Sequence, residues 1–135
     1  TMLAHAGIAY YKTSKVMNEM MPIGFWFVHL PLMHMSLELM LKSVALYENN
    51  SFDLKKYKHN TPKIISDYQN QIDLFNHFAE TKQIMDLVSG LKDAWYALRY
   101  GETTVRYSEE DCDLFEQIIK QLSTKFQSIS GVELK

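Results

Sequence analysis

The chain has 135 residues, 47% of them hydrophobic and 22% charged, with only five glycines and three prolines. That balance excludes collagen-like and disordered classes and suits one compact helical domain over residues 1–135, long enough to bury about two-thirds of its unfolded surface. The formal net charge of -2 excludes a global basic field for nucleic acid, so any such contact has to be local.

A single cysteine, Cys112, excludes a disulfide or a CxxC motif within this sequence, and a cytoplasmic location is expected. The first residues, TMLAHAGIAYYKTSK, show neither the charged start nor the small-residue cleavage site of a signal peptide. The longest apolar stretch, around residues 22–47, is broken by His34, Glu38 and Lys42. It falls short of the roughly 18 uninterrupted apolar residues of a membrane span, so no membrane partner is expected.

In chain order, the periodicity predicts four to five helices and no strand, an all-α bundle of up-and-down type. Helix 1 covers about residues 2–20, with Ala6, Ala9, Tyr10, Val16, Met17 and Met20 apolar, and stops before Pro22. Helix 2 begins near Phe25, or near Leu30 if Pro31 takes a first-turn position, and runs to about Asn49. The segment ENNSFDLKKYKHN is a turn-rich connector, after which Thr61 and Pro62 read as cap and first position of helix 3. That helix carries Ile64, Ile65, Tyr68, Ile72, Phe75 and Phe78 on one side, up to a break near Glu80 and Thr81. The next helix shows Ile84, Leu87, Val88, Leu91, Trp95 and Leu98 at helical spacing and ends around Arg99, Tyr100 and Gly101. A linker, GETTVRY, leads to Ser108, an N-cap with Asp111 three residues on, and to a last helix with Cys112, Phe115, Ile118, Ile119, Leu122, Phe126 and Ile129 as its apolar face.

Helix 2 is unusual in being apolar on two faces. Leu30, Met33, Leu37, Met40 and Val44 share one arc, and Leu32, Met35, Leu39 and Leu46 lie nearly opposite. Such a helix is central, packed on its own bundle by one face and on a neighbour by the other, so a homodimer through helix 2 is expected. His34, Glu38 and Lys42 recur every four residues and form one polar strip between the arcs, where a dimer would have a cleft. The plain reading of this strip is an i,i+4 Glu–Lys pair with a histidine satisfying a neighbour.

The string HMSLELMLKSVALYE resembles the second helix of HEPN domains, the helical domains named for higher eukaryotes and prokaryotes nucleotide binding, which often show a Glu, then Leu-Lys, then Ala here. KHNTPKII puts His59 and Ile64 where the family often has a Gly-His and a later Leu, without the glycine. ALRY is similar to the family's Arg-Tyr before the final helix. The resemblance spans about residues 3–128. It implies a dimeric helical scaffold and a pocket for a nucleotide or an RNA phosphate.

Many family members are ribonucleases with an Arg, four to six residues, then His near the start of the last helix. Here the only arginines are Arg99 and Arg106 and no histidine follows His77, so that motif is absent. The chain is therefore expected to be a non-catalytic nucleotide- or RNA-binding or interaction module. A diverged ribonuclease, using His34 or His59 with Arg99 or Arg106, is the enzyme alternative.

The expected ligand contacts are His34, Glu38, Lys42 and His59, with Arg99 and Arg106 as anion partners and Tyr100 and Tyr107 as stacking rings. The plainer reading pairs the arginines with Glu102 or Glu109 and packs the tyrosines in the bundle. A further alternative is a metal-binding bundle, with His34, Glu38 and either His59 or His77 as ligands. No Glu-x-x-His di-iron motif accompanies them, and the sequence reading assigns neither a metal ligand nor a cofactor. KKYK, residues 55–58, is the densest basic cluster and a candidate RNA-backbone or protein-partner contact if it is more than a solvated loop. No phosphate loop, GxSxG or HExxH occurs.

Overall fold

The computed structural model describes residues 2–20, 26–99 and 108–134. Among the described residues there are six helices and no strand: α1 (Met2–Met20), α2 (Trp26–Glu48), α3 (Thr61–Tyr68), α4 (Asp73–Glu80), α5 (Lys82–Arg99) and α6 (Glu109–Ser130). The expected all-α bundle is present. No helix among the described residues is long and apolar enough to cross a membrane.

α2 lies at the centre, in contact with α1, α3, α5 and α6. From Leu30 through Leu46 none of its residues is exposed, as befits a helix apolar nearly all round. The two arcs differ all the same. Leu30, Met33, Leu37, Met40 and Val44 are fully buried, while Leu32, Met35, Leu39 and Leu46 stay half-buried within the single chain.

α1 runs along α2 by a narrow stripe of Ala4, Gly7, Ile8 and Ser14. At Gly7 the helices approach so closely that a Cβ would sit 2.9 Å from Met40 Cγ, and Ser36 Oγ donates a 2.7 Å hydrogen bond to the Gly7 carbonyl. Glycine is needed here for proximity, not for conformation. The apolar residues read from the sequence of this helix were a poor guide, because Ala9, Tyr10 and Val16 are exposed.

The single helix expected over residues 61–79 is two. α3 ends at Tyr68, and Ile72 adopts an extended conformation, φ -126 and ψ 110, before α4 begins. The series Ile64, Ile65, Tyr68, Ile72, Phe75, Phe78 satisfies helical spacing whether or not the chain turns a corner. The polar run Gln69-Asn70-Gln71 permits the corner, and Phe75 and Phe78 are fully buried beyond it. The cap also shifts by one residue: Asn60, not Thr61, accepts from Lys63 N–H, and Thr61 is buried.

α6 begins as expected. Ser108 Oγ accepts from Asp111 N–H at 3.2 Å, and Asp111 Oδ2 accepts from Ser108 N–H at 3.0 Å, a reciprocal capping box. It ends at Gly131, whose φ of 72 closes the helix in the left-handed region. Phe115, Ile118, Ile119, Leu122 and Phe126 complete the core, with Cys112 half-buried at its margin.

Candidate functional site: a buried glutamate between two histidines and a lysine

The connector between α2 and α3 is held down by two aromatic residues. Phe52 and Tyr57 are buried and stack at 5.5 Å, and the Tyr57 hydroxyl donates to Asp67 Oδ2 at 2.8 Å. Burial, with Asp67 adding to it, pushes the Tyr57 phenol above its ordinary value. The interleaved ring of KKYK is thus a core anchor and not a stacking platform; Lys55, Lys56 and Lys58 around it are exposed.

The next turn sends the chain back onto α2. Lys58 has a positive φ of 51, and its carbonyl accepts a 2.7 Å hydrogen bond from Lys42 Nζ. Asn60 N–H bonds the Tyr57 carbonyl at 2.9 Å and Thr61 N–H the His59 carbonyl at 3.0 Å, which pins the backbone on either side of His59. His59 Nδ1 then reaches Glu38 Oε1 at 2.7 Å.

Glu38 is the hub. Its Oε1 also lies 3.5 Å from His34 Nε2, and its Oε2 lies 3.4 Å from Lys42 Nζ. The strip is deeply buried, with residue exposures of 0% for His34, 3% for Glu38 and 7% for Lys42. Burial works against the Glu38 charge, but the neighbouring His34 and His59 and the Lys42 ammonium outweigh it and hold the carboxyl below its ordinary 4.5. The ring of His34 stacks on Trp95 of α5, centroids 5.4 Å apart and planes inclined by 22°. Its contact with Glu38 lacks hydrogen-bond alignment, and neither ring nitrogen has a hydrogen-bond partner among the described residues.

Of the expected site residues, the fold brings together His34, Glu38, Lys42 and His59. They meet inside one chain, between α2, the connector and α5, where the expectation set the strip beside a dimer cleft. Lys42 is committed to Glu38 and the Lys58 carbonyl and is nearly buried, so it is not presented as a phosphate contact. His77 is exposed on α4 beside Phe78 and does not join them. Tyr100, Arg106, Tyr107 and the side chain of Arg99 lie outside the described residues, as do Glu102 and the GETTVRY linker.

The expected site residues omitted Trp95 and Tyr96. His59 tilts against Trp95 at 5.2 Å and meets Tyr96 edge-on at 6.4 Å. Their adjacent positions on α5 give no hint of this, since only the docking of α5 on the connector brings them to His59. No family model, curated protein or solved structure matches this chain.

Proposed function

We propose that the chain is a HEPN-like module that holds a nucleotide or a short single-stranded RNA segment at the rim of the Glu38 centre without cleaving it. The observation that carries this reading is the posture of His59. Its inner nitrogen is tied to Glu38, yet 31% of the side chain is exposed, facing Tyr96, itself 41% exposed, with Lys58 as its chain neighbour and Lys55 and Lys56 nearby in the connector. A half-exposed imidazole and an exposed phenol ring beside exposed lysines suit base stacking with phosphate contact.

Two features support the HEPN-like part. Glu38, Lys42 and His59, three of the positions on which the resemblance rests, meet, while Tyr100 and the side chain of Arg99 of its Arg-Tyr lie outside the described residues. Lys58 occupies the place of the family's glycine before the histidine, and its φ of 51 is the left-handed conformation that glycine adopts most readily. Non-cleavage rests on the missing Arg-to-His motif. A homodimer through the half-buried Leu32, Met35, Leu39 and Leu46 of α2 belongs to the same reading, and sedimentation of the purified chain tests it.

The test of function is fluorescence anisotropy of labelled single-stranded RNA and of a labelled nucleotide over a salt series, with the RNA recovered on a gel. Binding should weaken with salt. Tyr96→Ala should remove one stacking contact, worth about 1–3 kcal/mol. Cleavage that His59→Ala abolishes would favour the diverged ribonuclease instead. No binding at low salt would leave a protein-interaction bundle.

A further inference from the structure

Buried polar groups normally find partners, because an unmet donor or acceptor loses its water for nothing. His34 breaks that rule in the middle of α2: at 0% exposure, neither imidazole nitrogen is hydrogen-bonded among the described residues. Hydrophobic packing alone does not call for an imidazole there. A phenylalanine would stack on Trp95 as well and leave no orphaned nitrogen.

The orphaned nitrogen faces two further donors. One ligand atom each from His34, Glu38 and His59 lies within 4.8 Å of the others, and the set is two imidazoles with one carboxylate. In a tetrahedral site with bonds of about 2.1 Å, ligand atoms sit about 3.4 Å apart. The separation of His34 Nε2 from Glu38 Oε1, 3.5 Å, already has that value. The 2.7 Å bond from His59 Nδ1 to the same oxygen has to open by roughly 0.7 Å, an adjustment a half-exposed connector side chain makes by a small rotation. We infer that His34, Glu38 and His59 form a binding site for a divalent transition ion of the zinc type.

The neighbours fit that assignment. Lys42 engages Oε2 of Glu38 and the Lys58 carbonyl, leaving Oε1 as the ligating atom and holding the carboxylate in orientation, as outer-shell groups do in metal sites. With three protein ligands, a fourth position of a tetrahedral site would be taken by water, hydroxide or a small anion. Imidazole and carboxylate donors suit zinc, and cobalt(II) takes the same site with visible absorption that reports tetrahedral geometry.

The experiment is a titration of the chelator-treated, refolded or native full chain with zinc by calorimetry and with cobalt(II) by visible absorption. One ion per chain with tetrahedral cobalt bands is expected. His59→Ala, at a half-exposed position, should weaken zinc at least tenfold while leaving the helical circular dichroism unchanged. His34→Phe, which keeps the stack on Trp95, should do the same. A His5→Ala, His77→Ala double variant, altering two exposed histidines, should bind as the unaltered chain does. Unchanged affinity in His59→Ala, loss of binding in the double variant, or octahedral cobalt bands throughout would overturn the assignment. The metal titration contains no RNA, and repeating the RNA titration with chelator present separates the failure of one reading from that of the other.

Discussion

Two pairs of the same chemistry, four residues apart on helices, show how little a contact distance says by itself. Lys82 and Asp86 on α5 meet at 2.9 Å, with 87% and 66% of their side chains exposed. Glu38 and Lys42 on α2 stand farther apart, at 3.4 Å, with 5% and 9% exposed. The shorter pair is screened by water and fixes nothing, whereas the longer one has no water to fall back on. Each partner of the buried pair has a further hydrogen-bond partner: the His59 imidazole on the carboxylate, with His34 only approaching it at 3.5 Å, and the Lys58 carbonyl on the ammonium. Burial, not proximity, turned an ordinary helical pair into the organising centre of the connector.

Breaking the buried pair is the strongest test. Lys42→Met keeps the aliphatic stem and strands the glutamate charge, and urea unfolding should show a loss of about 3 kcal/mol or more. A loss no larger than that of a surface substitution would mean that Glu38 is satisfied without the lysine.

Next comes pH. Because Glu38 titrates below its ordinary 4.5 in the folded chain, its ionised form adds stability above that value, and the contribution disappears as pH falls through 4.5 and below. Glu38→Gln should be less stable than the parent at neutral pH by about 1–3 kcal/mol and should lose less on acidification. Parallel acid curves for the two proteins would remove Glu38 from the account.

Lys58→Gly probes the strained turn that delivers His59. Relief of a positive φ of 51 should offset the entropy glycine adds to the unfolded chain, for a net gain of up to about 1 kcal/mol by thermal unfolding. A clear loss would show that the lysine side chain, not its backbone, matters at this position. Smallest of all, Lys82→Ala should leave the unfolding midpoint within the scatter of repeated measurements, since both partners are in water. A measurable drop there would erase the contrast between the two pairs.

Much of the architecture was legible in the residues. α5 and α6 were readable from long 3.6-residue periodicity, α2 from the length of its apolar run, and the start of α6 from Ser108 and Asp111, because caps and apolar stripes are local properties. The corner at Ile72 was not, since its apolar spacing is compatible with one helix or two. Nor was the inner face of α1, where Ala4 and Gly7 mark the contact by smallness and the larger Tyr10 and Val16 point outward.

The site divides the same way. That His34, Glu38 and Lys42 share one strip follows from the pitch of a helix and is visible in the sequence alone. That the strip is sealed, that His59 rather than His77 completes it, and that Trp95 and Tyr96 flank it were decided by tertiary structure. Periodicity records which residues of one helix face the same way; which segment covers them depends on long-range packing, here the burial of Phe52 and Tyr57, which folds the connector back and carries His59 onto the glutamate.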